Sequence, residues 1–236
     1  MSYAAPECCK TKKERMAMEN RGTGIVYREL EKRDYKAVED IIRKTWGYDK
    51  LSPNPKDARR MAALYLRSCL ARKTFSRVAV RGDKVLGIIM ARSEAAGGRI
   101  RLGDDLRQTA AALHLLTTKS GRRIGRMFSG FDKTDQELLK ECGRRFDGEL
   151  VFFALSEEER GKGTGKQLLL RALAYLKEEA VSEFYLYTDS TCNYPFYESQ
   201  GFLRRGEKTV DFRPAADYTL HMFIYSYSFG KADSAS

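Results

Sequence analysis

Apolar and polar positions follow two different periods along the first half of the chain. Two segments, 34–47 and 55–73, carry apolar residues at the spacing of one helix face. Three others, 25–29, 76–81 and 84–92, are short apolar runs that predict strands. A glycine–aspartate pair separates the last two strands and favours a hairpin turn. The predicted order is therefore strand, helix, helix, strand, strand.

The second half places a strand, a glycine-rich turn and a helix in immediate succession. An apolar run over 150–155 is followed by acidic residues and by a stretch in which every second residue is glycine. Apolar residues at helical spacing then cover 168–176. Further strands are predicted at 183–188, 203–212 and 218–229, and the last two form an aromatic-rich hairpin.

Glycine-rich turns at a helix N-terminus bind anions for two physical reasons. The first N–H groups of a helix have no partner within the helix, and the helix dipole favours negative charge there. Glycine also lets a phosphate approach the main chain where a side chain would clash. Arg160, Lys162 and Lys166 add positive charge to this turn. The segment predicts a ligand with a di- or polyphosphate held by main-chain amides.

Two common phosphate-binding motifs do not fit this segment. A P-loop needs a glycine five positions before its Gly-Lys pair and Ser or Thr after it. Here Arg160 stands five positions before Gly165, and Gln167 follows Lys166. The dinucleotide fingerprint needs the spacing G-x-G-x-x-G, whereas these glycines alternate.

The segment does resemble the acyl-CoA loop of the GNAT superfamily, the acetyl-CoA-dependent N-acetyltransferases. The family pattern is Arg or Gln, two residues, Gly, one residue, and Gly or Ala; Arg160, Gly163 and Gly165 fill it. Leu155 fills the family's hydrophobic position five residues before the arginine. A second segment, 193–202, resembles a family motif that begins with Asn and ends with Phe-Tyr, three residues and Gly-Phe, here shortened before its Phe-Tyr pair.

This resemblance implies an α/β fold, the GNAT acyl-CoA N-acyltransferase fold, with a mixed, mostly antiparallel sheet flanked by helices. We expect one domain over 23–230 between flexible tails at 1–22 and 231–236. Residues 97–147 are expected to form a helical insertion between the third and fourth strands, since the family usually connects these strands directly.

Within the insertion the sequence predicts helices at 104–118 and 134–145, separated by a basic, glycine-broken stretch at 121–130. Three roles remain open for it: a surface decoration, a lid over the acceptor site, or a dimer contact.

The resemblance also implies where acetyl-CoA binds as the co-substrate. A bulge would splay the fourth strand from its neighbour and free the main-chain amide of Leu155 for the pantetheine arm and the thioester. Tyr197 would protonate the leaving thiolate, and no metal ion is implied. Asn193, or Tyr194 in its place, would bind the CoA arm. The residues implied to bind the coenzyme are Leu155, Arg160, Gly161, Lys162, Gly163, Thr164, Gly165, Lys166 and Asn193.

The general base is less well defined by the sequence. Glu149, at the start of the fourth strand, is the candidate that we pair with Tyr197 as a catalytic residue. Glu94 and Asp189, each at the end of a strand, are alternatives, as is a chain of water molecules.

Composition narrows the class of protein further. Apolar residues make up 42% and charged residues 32%, which is typical of a globular chain. Five scattered cysteines and two histidines do not fit a disulfide framework or a structural zinc site, and we expect a reducing, cytoplasmic location without membrane association. The net charge of +11 suits either nucleic acid or an anionic small molecule such as CoA. Because the basic residues are spread along the chain, they do not favour nucleic acid.

Together these observations predict an N-acetyltransferase that moves an acetyl group from acetyl-CoA to a primary amine by direct attack in a ternary complex. The acceptor would be an amine-bearing small molecule or peptide, and a homodimer stays open. The alternative is a non-catalytic acyl-CoA sensor, or a nucleic-acid- or ribosome-associated binding module on the same scaffold.

Overall fold

The computed structural model describes residues 24–51, 54–97, 119–211 and 219–230. Its described strands form one seven-stranded sheet in the order β1-β2-β3-β4-β5-β7-β6. Neighbouring strands run antiparallel except β4 and β5, which run parallel. The strands are β1 Val26–Arg28, β2 Phe75–Arg81, β3 Lys84–Ser93, β4 Gly148–Leu155, β5 Glu183–Asp189, β6 Leu203–Asp211 and β7 Thr219–Ser228. The predicted mixed α/β fold is confirmed.

Helices flank this sheet and interrupt the order of the strands. The α-helices within the described ranges are α1 Tyr35–Thr45, α2 Tyr48–Leu51, α3 Pro55–Arg72, α4 Lys119–Glu141, α5 Thr164–Glu178 and α6 Pro195–Ser199. Two single-turn 3₁₀ segments, Lys32–Asp34 and Glu157–Glu159, precede α1 and follow β4. No helix in the described part of the chain is both long and apolar enough to cross a membrane.

The apolar core lies on both faces of the sheet. On one face α1 and α3 bury residues such as Ile42 and Met61 against β2, β3 and β4. On the other face α5 buries Leu168 and Leu176 among residues of β3, β4 and β5. Leu138 of α4 packs with β7 and with the side chains of β5 that point away from the α5 face. Helix α4 therefore covers the β5–β7 half of the sheet on the face opposite α5.

The insertion differs from its predicted form. The break predicted at 121–130 is wrong, because α4 runs without interruption from Lys119 to Glu141. Its end is also earlier than predicted: Gly143 adopts a positive φ of 59° and stops the helix. The helix predicted at 104–118 lies outside the described residues, as do the tails predicted at 1–22 and 231–236.

Candidate active site

The two parallel strands at the centre of the sheet separate after two residue pairs. Only Gly148 and Glu149 of β4 pair with β5, whereas β4 continues to Leu155. The register between β3 and β4 also shifts, because Met90 faces Phe152 while Arg92 faces Glu149. This bulge and separation leave a gap beside the second half of β4, the arrangement that Leu155 was predicted to need.

The main chain of β4 presents free groups to this gap. Ser156 N–H donates to the Leu86 carbonyl of β3 at 2.8 Å, and Leu155 is the next residue in register, opposite Gly87. In an antiparallel pair, residues alternate between bonding their partner and facing away from it. The N–H and C=O groups of Leu155 and Phe153 therefore point away from β3 and towards the gap.

The Leu155 side chain is wedged between two glycines. A Cβ atom at Gly87 would stand 2.3 Å from Leu155 Cδ2, and one at Gly165 would stand 3.0 Å from Leu155 Cδ1. Both positions therefore require the absence of a side chain if α5 is to approach the sheet this closely. Gly165 thus has a packing role, and its main-chain amide is the part left for a ligand.

The turn that follows β4 has the conformation of an anion site. Gly161 and Gly163 adopt left-handed φ values of 76° and 83°, and nothing lies within 4 Å of where a Cβ would stand at either residue. The first bond of α5 is donated by Gln167 N–H to the Gly163 carbonyl at 3.1 Å. The N–H groups of Thr164, Gly165 and Lys166 therefore precede the helical bonding ladder and are available to a ligand.

A buried carboxylate, that of Glu159, holds this turn through contacts on its protein side. Glu159, only 2% exposed, accepts a hydrogen bond from the Thr164 hydroxyl at 2.9 Å and lies 3.3 Å from the guanidinium of Arg81. Lys162 Nζ lies 3.9 Å from the same carboxylate. The Thr164 side chain is thus committed to the fold. Arg160 and Lys166 have exposed side chains that can meet phosphate oxygens.

Tyr197 stands beside the gap on the short helix α6. Its ring centroid lies 6.4 Å from that of Phe153, whose ring also approaches Gly165, so α6, β4 and the start of α5 converge there. The residue is half-buried, and its hydroxyl has no hydrogen-bond partner within the described ranges. Burial raises the pKa of Tyr197 well above its ordinary value, and the nearby Cys192 and Asp189 raise it further. The phenol is therefore neutral and able to donate.

Glu149 lies where β4 and β5 part. It is 4% exposed, and its Oε1 accepts a hydrogen bond from Arg72 Nη1 of α3 at 3.0 Å. Burial raises the pKa of Glu149 above its ordinary value, and the charges of Arg72 and Arg92 oppose that rise. A carboxylate whose pKa is moved towards neutrality is a better general base than a solvated one.

The other candidate bases, Glu94 and Asp189, contact neighbouring side chains. Glu94 is exposed and pairs with Arg92 at 2.9 Å. It lines an open pocket of about 540 Å³ at the opposite end of β4 from the glycine turn. Asp189 accepts hydrogen bonds from Thr191, and its Oδ2 lies 3.6 Å from Cys192 Sγ. These contacts hold the turn that follows β5.

Asn193 and the histidines occupy peripheral positions. Asn193 is exposed in the turn before α6, where its main-chain carbonyl accepts a hydrogen bond from Phe196 N–H at 3.2 Å. His221 is exposed and contacts Glu207 in the terminal hairpin, whereas His114 lies outside the described residues. No group of three or more metal-ligating side chains occurs within the described ranges.

Sequence reasoning missed two charged residues at this site. Arg72 is the last residue of α3 and sits 77 residues from Glu149 in the chain, so no local pattern connects them. Asp135 of α4 lies near enough to Arg72 and Glu149 for the charges of both to shift its pKa. The available signal was an acidic residue three positions before Leu138, the buried residue of the same helix.

Comparisons with known proteins agree with this geometry. The sequence model described as the acetyltransferase (GNAT) family matches residues 35–202. A mycothiol acetyltransferase from Renibacterium salmoninarum is 31% identical over 102 residues, which is 39% of this chain and 30% of that protein. The chain thus spans under a third of that relative's length.

Solved structures share the fold at low sequence identity. PH1933 from Pyrococcus horikoshii OT3 superposes with a TM-score of 0.52 at 18% identity, covering 87% of this chain and 99% of that one. The protein smu.2055 from Streptococcus mutans UA159 gives 0.50 at 18% identity, covering 86% and 98%.

The class of protein is therefore one whose sheet opens between two parted parallel strands, beside a glycine-rich turn at a helix N-terminus. This chain belongs to the acetyltransferase (GNAT) family.

Proposed function

We propose that the protein transfers an acetyl group from acetyl-CoA to a primary amine by direct attack in a ternary complex. The observation that carries this proposal is the gap beside β4, into which Leu155 and Phe153 direct their main-chain groups. It ends at a glycine turn with left-handed Gly161 and Gly163 and is flanked by Tyr197. An extended pantetheine arm can use such an edge as an added strand would.

In the proposed complex the pyrophosphate lies on the amides from Gly161 to Lys166, where the dipole of α5 favours negative charge. Arg160 and Lys166 add charge at the solvent side. The Leu155 amide would polarise the thioester carbonyl and stabilise the oxyanion of the tetrahedral intermediate. The exposed Asn193 would contact the outer part of the arm.

In the chemical step one acyl group moves, the amine gives up two protons and the CoA thiolate gains one. The amine arrives as an ammonium ion and passes a proton towards Glu149, directly or through water. Its lone pair then attacks the thioester carbon, the carbon–sulfur bond breaks, and Tyr197 protonates the departing thiolate. The excess proton of the amide product and the proton held by Glu149 leave to solvent, and solvent returns one proton to Tyr197. The products are the N-acetylated amine and free CoA.

The high pKa of Tyr197 is compatible with this role. An ordinary thiol has a pKa near 8.5. In water, proton transfer to its thiolate from a phenol of higher pKa would therefore be unfavourable. The same surroundings raise the pKa of the neighbouring Cys192 thiol to about 11. The pKa of a CoA thiol bound there would be raised in the same way, which narrows the difference between its pKa and that of Tyr197.

The test is release of free thiol from acetyl-CoA in the presence of alkyl mono- and diamines, with the acetylated amine identified by mass spectrometry. We expect amine-dependent thiol release that follows saturation kinetics. Thermal stabilisation by CoA without any thiol release would instead support the non-catalytic sensor. The absence of both thiol release and thermal stabilisation would refute a CoA site.

A further inference from the structure

Helix α4 is fixed to the terminal hairpin rather than loosely attached. Leu138 is 2% exposed, and its Cδ2 would stand 3.3 Å from a Cβ at Gly206 of β6. Lys208 of β6 lies 2.8 Å from Glu137 and 2.7 Å from Glu141, on the same helix. These contacts define which side of α4 faces the sheet.

Asp135 lies one turn before Leu138 on that inward side. The residue is partly buried, and its Oδ1 atom is fully buried without a hydrogen-bond partner in the described part of the chain. Charged groups of four elements act on it: Asp132 on α4, Arg72 on α3, Glu149 on β4 and Asp189 on β5. Tyr65 of α3 and Tyr187 of β5 also face it, since Asp135 raises the pKa of each.

The cationic charge in this cluster is already committed. Arg72 is the cation that opposes the rise in the pKa of Asp135, and it is hydrogen-bonded to Glu149. Arg72 thus acts on both Asp135 and Glu149, and Arg92, which pairs with Glu94, adds a second positive charge near Glu149. Within the described ranges, Asp135 is the member of this cluster with a buried oxygen that has no hydrogen-bond partner.

This arrangement costs stability. Burial, followed by the charges of Asp132, Glu149 and Asp189, raises the pKa of Asp135 to about 8 from an ordinary value of 3.8. Between these two values the folded chain binds more protons at this site than the unfolded chain does, so its contribution to stability falls as the pH rises from about 4 to about 8. A buried carboxyl oxygen that has no partner among the described residues, at a site that destabilises the fold, calls for an explanation in function.

We propose that the acceptor carries a second cationic group besides its reacting amine, and that Asp135 of the insertion helix α4 binds this group. The inference rests on the proposed function. Once the reacting amine has passed its proton to Glu149 it is neutral, so a carboxylate at Asp135 needs another cation as its partner. The insertion thereby acts as a wall of the acceptor site and selects diamines or polycationic amines over simple amines.

The experiment measures binding of 1,4-diaminobutane and butylamine to the CoA-saturated protein by calorimetry at pH 8. We expect the wild type to bind the diamine at least 10-fold more tightly. Asp135→Asn should lose that preference and leave butylamine binding and CoA affinity unchanged, whereas Asp135→Glu should restore part of it. Asp132→Asn, which removes an exposed charge one turn earlier on α4, serves as the control; it should keep the preference and, because Asp132 raises the pKa of Asp135, extend it to lower pH.

Two further readouts separate binding from folding. Asp135→Asn should melt at a higher temperature than the wild type, and the difference should grow from pH 5 to pH 8; a purely structural role predicts a lower melting temperature. Diamine affinity of the wild type should rise up to about pH 8 as Asp135 ionises, and that rise should vanish in Asp135→Asn.

Equal diamine affinity in wild type and Asp135→Asn, including no binding to either, would overturn the inference. Amine-dependent turnover that is indifferent to Asp135 would refute this inference and leave the proposed function standing. Asp135-dependent diamine binding without any thiol release would support cation binding at Asp135 and refute the proposed acetyl transfer.

Discussion

At the scale of the residue, Tyr197 is the group whose removal should separate chemistry from coenzyme binding. Its hydroxyl has no hydrogen-bond partner among the described residues, and its ring packs against Phe153, Phe202 and Tyr225. Because phenylalanine preserves those ring contacts, we expect Tyr197→Phe to lower kcat by about 10²–10⁴-fold and to leave CoA affinity nearly unchanged. Steady-state kinetics and CoA titration check both quantities, and an unchanged kcat removes Tyr197 from the mechanism.

The raised pKa of Tyr197 also fixes part of the pH profile. A phenol with a pKa above its ordinary value of about 10 stays protonated through the alkaline range. Loss of this proton therefore contributes no fall in rate below pH 10.

Glu149 should set the acidic side of the profile. As a general base it must be ionised, and its pKa is raised above its ordinary value, so kcat/KM should fall as the pH drops through that raised pKa. Glu149→Gln keeps an acceptor for Arg72, and we expect it to lower kcat by about 10²–10⁴-fold and to abolish that limb.

Glu94→Gln provides the comparison, because Glu94 is an exposed carboxylate paired with Arg92 on the neighbouring strand. Its pH–rate profile should match the wild type. If Glu94→Gln lost the acidic limb and Glu149→Gln kept it, the two assignments would have to be exchanged.

At the scale of the element, the turn between β4 and α5 can be tested through one pair of glycines. Gly163 and Gly82 both have positive φ values, 83° and 57°, and neither has an atom within 4 Å of an added Cβ. Alanine should therefore cost each position about 1 kcal/mol of stability through backbone strain. Gly163→Ala should in addition raise the Kd for CoA about 10-fold or more, because its methyl group occupies space assigned to the pyrophosphate.

Gly82→Ala is the matched control, since Gly82 lies in the hairpin between β2 and β3. It should lose similar stability and retain CoA affinity. Equal CoA affinity in both variants would mean that the phosphate does not approach Gly163.

The elements also show how far sequence patterns reach. The strand, turn and helix over β4 and α5 were predictable because each signal is local: an apolar run, alternating glycines and a helical period. The predicted break inside α4 failed for the opposite reason. A glycine within a helix costs about 1 kcal/mol, and this local penalty is outweighed where a helix is held by tertiary contacts such as those of Leu138, Glu137 and Glu141.

At the scale of the whole molecule, the least predictable feature was the convergence of distant segments. The parting of β4 from β5 was implied by family resemblance alone, because nothing in either strand's own pattern shows where their pairing ends. The cluster of Arg72, Asp135 and Glu149 joins α3, α4 and β4, and it depends on how the insertion packs. The residues proposed to select the acceptor are therefore brought together by tertiary contacts, whereas most of the proposed coenzyme site is one contiguous stretch of sequence.

The most direct test of the whole account is a crystal structure of the protein with CoA bound. We predict pyrophosphate oxygens at about 2.7–3.1 Å from the amides between Gly161 and Lys166, and the CoA sulfur within hydrogen-bonding reach of the Tyr197 hydroxyl. A coenzyme bound elsewhere, or one whose sulfur points away from Tyr197 with the gap beside β4 left empty, would contradict it.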